Sequence, residues 1–454
     1  MGEIVFKRKA YEEMLDWKSR LADRYALLIE GARRVGKTTL IDSFTKSEYK
    51  SRIYIDFSQK SGLTKASIRA FEQEPDVPSL LERLALLHDV TLVEGGSCIV
   101  FDEVQRYPAA REMIKHLVRH GKYHYIESGS LVGIKENVKD IVIPSEEHGM
   151  KMHPLDFEEF MWALGAEPLA RHIRKQFAAR MPLGKDLHEK AMRLFRQYML
   201  VGGMPQAVAG YVQGGERRLE AAEEAKREIL ALYLSDIGKY ARGYAAKVRA
   251  IFRHIPAALN RREKRFRLSD LNVNARTRRY ENAFLWLADA MVANIAYNAT
   301  NPSVGLEMSL ESTFMKCYSL DTGLLVTQAM SGTKAVDGRI LRGVLYDNLG
   351  INEGMFFENA VAQSLVARGY DLLFYSRRDP KDRGATMEID FLIRNGIKIC
   401  PVEVKSSRAG AHASLDRFIA AYGRMLGERF VVCGHDRSEH DGITYLPAYM
   451  VHCI

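Results

Sequence analysis

The stretch Tyr25-Ala26-Leu27-Leu28-Ile29-Glu30-Gly31-Ala32-Arg33-Arg34-Val35-Gly36-Lys37-Thr38-Thr39-Leu40-Ile41 decides the fold. Tyr25–Glu30 reads as an apolar strand. The next eight residues fit the pattern GxxxxGK[ST], and Thr39-Leu40-Ile41 can start a helix. Strand, glycine loop and helix in that order are the context the pattern requires. Gly31 and Gly36 permit backbone angles that turn successive N–H groups toward one anion. Along this loop, from Gly31 through Ala32, Arg33, Arg34, Val35, Gly36, Lys37 and Thr38 to Thr39, the phosphates of ATP are expected to bind. Lys37 is expected to reach the β- and γ-phosphates, and the Thr38 hydroxyl to sit on Mg²⁺.

Working outward, Cys98-Ile99-Val100-Phe101-Asp102-Glu103 is an apolar strand ending in two acids. Asp102 fits a holder of the Mg²⁺, and Glu103 fits the group that orients attacking water. A further strand ends in Glu127-Ser128-Gly129-Ser130, from whose tip Ser128 could sense the γ-phosphate; a plain turn explains it equally well. With Arg52–Phe57 and Tyr123–Glu127 added, residues 1–154 read as a parallel α/β sheet carrying the P-loop. Residues 155–245 turn helical, with Phe157, Phe160, Met161 and Leu164 spaced for one buried face. Residues 246–330 hold more helix, a basic stretch and short β-like pieces. Residues 331–352, with several Gly and Asn, are the best linker, and 353–454 mix strands and helices again.

Composition sets the outer limits. At 454 residues the chain is expected to hold roughly three domains at about 150 residues each. It is 47% hydrophobic and 27% charged, which reads as globular. No apolar run approaches the roughly 18–20 residues of a membrane span, and the first residues hold no long apolar core. The five cysteines are scattered without CxxC spacing, which fits reduced thiols, a cytoplasmic location and no zinc site. The thirteen histidines form no HxH or HExxH cluster. A net charge of +9 mildly favours an anionic partner, of which nucleic acid is the commonest, and the nucleic acid expected is DNA.

In the tail, Asn395-Gly396 is a strong two-residue hairpin signal between Glu388–Arg394 and Ile397–Lys405. If those two residues form the turn, Arg394 faces Ile397, Asp390 faces Pro401, and Glu388 faces Glu403. Side chains alternate along a strand, so Glu388, Asp390, Glu403 and Lys405 emerge on one face, and Ile389, Phe391, Val402 and Val404 on the other. Clustered acids repel unless a cation compensates. Mg²⁺ held by Asp390 and Glu403 is the hard-ion answer, with Lys405 positioning the attacking water. The same alternation is also what any half-exposed hairpin shows.

From Arg261 to Arg279 eight residues are basic and two acidic. Asn274 can cap a helix beginning near Ala275, whose apolar positions Tyr280, Phe284 and Leu287 leave Arg276, Thr277 and Arg279 on another face for nucleic acid. A charge run is also an ordinary solvated face or a subunit contact.

The order of these motifs resembles the bacterial and archaeal AAA ATPases that carry a C-terminal DUF4143 region. Besides the P-loop and Phe101-Asp102-Glu103-Val104-Gln105, the resemblance rests on Ser128-Gly129-Ser130, Pro154-Leu155-Asp156-Phe157-Glu158-Glu159-Phe160, Gly202-Gly203-Met204-Pro205 and Tyr318-Ser319-Leu320-Asp321-Thr322-Gly323-Leu324. It implies an α/β fold: a P-loop AAA+ core, a helical lid (155–245), a winged-helix segment (246–330) and a restriction-endonuclease-like tail (353–454). That tail is of the D…ExK kind, to which Phe356-Phe357-Glu358-Asn359 adds Glu358. Many relatives carry a Gly-Arg pair before the Pro-Leu-x-Phe motif; here the residues are His148-Gly149-Met150-Lys151, so no arginine role is carried over. The function expected is an ATP-hydrolysing machine on nucleic acid, with Mg²⁺-dependent cleavage by the tail. It is also expected to be a homo-oligomer whose second subunit supplies an arginine. Two rivals stay open: a nucleotide switch binding a partner protein through an inactive tail, and a DNA-binding regulator that does not cut.

Overall fold

Strands buried on both faces read as continuous apolar runs, and Ser97–Asp102 is buried at every position. The computed structural model describes residues 4–130, 143–261, 263–271, 279–303, 305–330, 343, 353–378, 386–405 and 412–454. The linker expected at 331–352 lies outside them apart from residue 343. The chain divides into two units, Met1–His153 and Pro154–Ile454.

In the first unit α1 (Lys9–Arg20) precedes β1 (Ala26–Glu30), α2 (Lys37–Glu48), β2 (Ser51–Asp56), α3 (Gly62–Gln73) and α4 (Val77–Leu87). Then come β3 (Ser97–Asp102), α5 (Pro108–His120), β4 (His124–Gly129) and β5 (Glu147–Lys151). The sheet runs β2-β3-β4-β1-β5, every neighbouring pair parallel. The four strands expected from sequence are present with ends shifted by a residue or two. β5 was not foreseen: it is an edge strand in which only Met150 is buried, so Glu147-His148-Gly149-Met150-Lys151 has no apolar run to betray it. α5 opens on Pro108 and stops at Gly121, whose φ of 72° is the left-handed cap that glycine takes most easily.

The second unit begins with helices: α6 (Phe157–Ala163), α7 (Glu167–Ala178), α8 (Lys185–Val201), α9 (Pro205–Gln213), α10 (Arg218–Tyr240), α11 (Ala245–Leu259) and α12 (Glu281–Asp289). A hairpin of β6 (Ala293–Ala299) and β7 (Leu310–Ser319) leads to α13 (Thr322–Ala329) and α14 (Glu353–Ala367). β8 (Leu373–Arg378), β9 (Thr386–Asn395), β10 (Lys398–Val404), α15 (Ala413–Tyr422), β11 (Phe430–Cys433), β12 (Ser438–His440) and β13 (Ile443–Pro447) follow. All eight strands form one mixed sheet, β12-β13-β11-β10-β9-β8-β6-β7. The sequence division placed β6 and β7 in a segment apart from the tail; in space they complete the tail's own sheet. The junction is fixed by Asn298, whose amide donates to Ser376 O at 3.2 Å while its Oδ1 accepts from Ser376 N at 2.8 Å.

Three of the motifs that carried the resemblance, around Asp156, Gly203 and Asp321, meet here in one buried knot. Asp156 caps α6 and exchanges hydrogen bonds with Glu159, a capping box that accounts for both acids of that motif. Leu155 N donates to Gly203 O at 2.7 Å, and Gly203 N donates to Asp321 Oδ2 at 2.6 Å. Asp321 is fully buried and also accepts from Leu324 N and Gln363 Nε2, at 2.9 and 3.1 Å. A Cβ on Gly203 would lie 2.0 Å from Leu155 O, and one on Gly323 2.5 Å from Gly202 N. These residues are glycine because three backbones touch, and aspartate because buried N–H groups need an acceptor.

The hairpin register differs from the expectation. Asn395 pairs with Lys398, Arg394 with Ile399 and Phe391 with Val402, so the turn is Gly396-Ile397. Gly396 has φ 60° and Ile397 ordinary negative φ, which matches a turn requiring glycine in first position. The slip is two residues, an even number, so the same side chains still share a face.

Candidate functional site

In the first unit, β1 delivers the chain to Gly31 and α2 starts at Lys37, which brings Gly31–Thr38 into a tight loop. Gly36, at φ 97°, is the cap of α2, and Arg34 also takes the left-handed region at φ 70°. A Cβ on Gly31 would lie 2.4 Å from Met152 O, so the loop approaches the chain after β5 more closely than any side chain allows. Arg8, itself buried, braces the loop from beneath: its guanidinium donates to Val35 O at 2.9 Å and to His153 O at 2.6 Å.

Lys37 is 6% exposed, and its ammonium donates to Gly31 O at 2.7 Å and Ala32 O at 3.1 Å. Sequence pointed it at phosphate; in the structure it closes a ring on its own loop. Burial pushes its pKa down to about 8, against the pull of Glu103 and Asp102.

Asp102 is the hub. Its Oδ2 accepts from the Thr38 hydroxyl at 3.0 Å and from Tyr54 OH at 2.7 Å. Its Oδ1 accepts from Glu103 N at 3.0 Å and from the Ser128 hydroxyl. Ser128 is fully buried, and its hydroxyl is directed at Asp102. Tyr54, from β2, was missed by sequence reading because nothing local to it marks a site. Glu103 takes φ 54°, a region costly for a non-glycine residue and frequent at functional sites. Its Oε2 accepts from Gln105 Nε2 at 2.5 Å. Thr38 hydroxyl and Asp102 carboxylate, side by side at a helix N-terminus, are the oxygen donors a Mg²⁺ ion takes, and they fit it.

In the second unit the structure gathers the predicted acids and adds two cations that sequence did not. Glu358 comes from α14, Glu388 and Asp390 from β9, Glu403 and Lys405 from β10 and its end. Lys316, 1% exposed, reaches in from β7: its Nζ is 2.8 Å from Glu388 Oε1, 3.5 Å from Asp390 Oδ1 and 3.7 Å from Glu358 Oε1. Lys264 pairs with Glu358 Oε2, while Tyr318 OH donates to Glu358 Oε1 at 2.6 Å. Lys405 Nζ is 2.7 Å from Glu403 Oε1, and Val404 N donates to Asp390 Oδ2 at 2.9 Å. Burial alone would lower the Lys316 pKa; Glu358, Glu388 and Asp390 outweigh it and hold the ammonium charged. Glu403 is pushed up to about 8, by burial first and then by Asp390. With the Lys316 ammonium at Asp390 Oδ1 and the Lys405 ammonium at Glu403 Oε1, the expected Mg²⁺ at Asp390 and Glu403 does not fit the site as it is arranged. Among the described residues no group of three His, Cys, Asp or Glu is disposed to hold a metal.

Of the expected nucleic-acid contacts, Arg276 and Thr277 lie outside the described residues, and Arg279 is exposed just before α12. Several neighbours in the basic stretch have protein partners instead: Arg261 with Asp270, Arg267 with Glu263, Lys264 with Glu358, and Arg265 over the Phe314 ring at 4.3 Å. No helix among the described residues is long and apolar enough to cross a membrane. None of the five cysteines forms a disulfide.

Three family models match the chain. A family model described as an AAA domain matches residues 23–161. Two domains of unknown function, DUF8612 and DUF4143, match residues 192–336 and 353–451. The chain thus carries an AAA-type P-loop domain at its N-terminal side and a DUF4143 region at its C-terminal side, as the motif resemblance implied. Nothing among curated proteins matches it. Among solved structures it is similar to the Walker-type ATPase Paby2304 of Pyrococcus abyssi, at 17% identity over 71% of this chain and 96% of that one, TM-score 0.45. It is also similar to a structure of Drosophila ORC bound to DNA, at 14% identity over 71% and 95%, TM-score 0.27.

Proposed function

We propose that the chain hydrolyses ATP with Mg²⁺ at the Gly31–Thr38 loop and uses that cycle to act on nucleic acid, as a homo-oligomer. The observation that carries the ATPase half is the Thr38–Asp102 hydrogen bond at 3.0 Å, with Lys37 behind it and Glu103 beside it. Backbone N–H groups of the loop would bind the triphosphate, and Lys37 would leave the carbonyls of Gly31 and Ala32 for phosphate oxygen. Thr38 and Asp102 would hold Mg²⁺, which neutralises charge on the β- and γ-phosphates. Glu103, displayed by its left-handed backbone, would align water on the γ-phosphorus and take its proton. Tyr54 and Ser128 would keep Asp102 in place.

Support for nucleic acid is the net charge of +9 and the exposed Arg279. Mg²⁺-dependent cleavage by the tail is the finer form of this reading, and it requires Lys316 to leave the carboxylates. The rival reading, a nucleotide switch with a tail that binds but does not cut, is favoured by that lysine.

ATP turnover by wild type and Lys37→Ala, with and without duplex DNA at low and high salt, tests the proposal. Turnover lost in the variant, and DNA stimulation in the wild type that fades as salt rises, are expected. DNA-indifferent turnover would leave the partner-protein switch. Cleavage of DNA equal in wild type and Asp390→Ala would remove the nuclease extension.

A further inference from the structure

A buried lysine is costly unless its charge is met, and a cluster of carboxylates is costly unless a cation meets it. In the second unit each solves the other's problem. Lys316 projects from β7 beside the small residue Ala296, its partner across the β6–β7 hairpin. Its Nζ lies 5.0 Å from the centre of the Phe374 ring on β8 and ends among Glu388, Asp390 and Glu358. The route is built of buried side chains, so Lys316 is a fixed part of the interior and not a surface lysine that happens to lie near acid.

A second observation shows what the lysine leaves undone. Glu403 is 6% exposed and turned toward the same cluster; its Oε1 meets Lys405, while its Oε2 is buried with no hydrogen-bond partner among the described residues. Asp390 Oδ1 has Lys316 at 3.5 Å, and Asp390 Oδ2 is held by Val404 N. The oxygens that would bridge a cation between β9 and β10 are therefore Asp390 Oδ1, near Lys316, and Glu403 Oε2, which has no partner among the described residues. Four carboxylates, from Glu358, Glu388, Asp390 and Glu403, face three ammonium groups, from Lys264, Lys316 and Lys405.

We propose that Lys316 is a built-in cation of the C-terminal sheet: its ammonium takes the place of a divalent metal among Glu358, Glu388 and Asp390. The acid cluster therefore binds no such metal while the lysine is present, and removing the lysine opens a divalent-cation site between Asp390 Oδ1 and Glu403 Oε2. The inference concerns the tail alone and holds whether or not the first unit hydrolyses ATP.

The test is Mn²⁺ binding to the full chain without nucleotide, followed by the electron paramagnetic resonance of the free ion. It compares wild type, Asp390→Asn, Lys316→Met and the Lys316→Met/Asp390→Asn double variant. The P-loop is common to all four, so its contribution cancels. Expected is equal binding by wild type and Asp390→Asn. Lys316→Met gains a site binding at least roughly tenfold tighter than any in the wild type, and the double variant loses it. Where Lys316→Met melts early, Mn²⁺ is expected to raise its melting temperature and leave that of the wild type unchanged. Wild-type Mn²⁺ binding that disappears in Asp390→Asn overturns the proposal. So does a Lys316→Met protein whose Mn²⁺ binding and melting temperature match the wild type's response. DNA cleavage is a separate readout, so a tail that never cuts and a tail that holds no metal are told apart.

Discussion

The Thr38 hydroxyl donates to Asp102 Oδ2 across 3.0 Å, although 64 residues separate them in the chain. β4 lies between β1, which leads into the Thr38 loop, and β3, which ends at Asp102, so the sheet order β2-β3-β4-β1-β5 sets the reach across which loop and strand tip meet. Asp102 spreads its two oxygens over Thr38, Tyr54, Glu103 N and Ser128. A carboxylate so placed holds the Thr38 hydroxyl still. Asp102→Asn is expected to require roughly 10–100-fold more Mg²⁺ for ATP binding, with binding in EDTA unchanged. Nucleotide titrations at graded Mg²⁺ check this.

Tyr54 carries a narrower expectation. Tyr54→Phe removes one hydrogen bond at 2.7 Å and leaves the packing of β2 in place. The loss should be about 1 kcal/mol, or roughly fivefold in Mg²⁺-dependent turnover, without a change in melting temperature large enough to explain it. Unchanged turnover would mean that Ser128 and Glu103 N suffice to fix Asp102.

Through Lys37, nucleotide affinity is expected to depend on pH. Its folded pKa, about 8, lies below the 10.5 of a free lysine because the amine is buried. Below pH 8 it is charged and ready for phosphate; above, it deprotonates in the free protein while bound triphosphate favours the charged form. ATP affinity is therefore expected to fall as pH rises above about 8, by up to roughly tenfold per unit. Lys37→Arg, charged throughout, should show a flat profile. The same shift has a sign for stability. Burying the charged amine costs stability below pH 8, and that cost is relieved as pH rises from 8 toward 10.5.

The knot in the second unit predicts where substitution destroys the fold without touching chemistry. Gly203→Ala would place a methyl 2.0 Å from Leu155 O, which must force the backbones apart. A loss of about 3 kcal/mol or more is expected. Thermal unfolding followed on the full chain should show ATP binding by the first unit surviving the earlier transition. A Gly203→Ala variant as stable as wild type would contradict the close approach.

The meeting of Thr38 and Asp102 was legible because the residues around each are local in sequence: Gly31–Thr38 is one stretch, and Asp102-Glu103 is one strand end. Which face of the tail hairpin carries Glu388, Asp390, Glu403 and Lys405 was also legible, since side-chain parity survives a two-residue error in register. Lys316 and Lys264 were not legible. They arrive from β7 and from the chain before α12, and no local spacing says that β6 and β7 join a sheet whose other strands follow some fifty residues later. Tyr54 was hidden for the same reason. Asp156, Gly203 and Asp321 drew attention as motifs but serve caps and close packing, a use that only the meeting of their backbones reveals.

In the proposed cycle Glu103 is the residue that activates water at a bound triphosphate. Single-turnover hydrolysis of Mg²⁺-ATP by wild type and Glu103→Gln, at equal nucleotide occupancy, tests this most directly. The variant should bind ATP as tightly as wild type and hydrolyse it at least on the order of a hundredfold more slowly. Equal hydrolysis rates in the two proteins would contradict it.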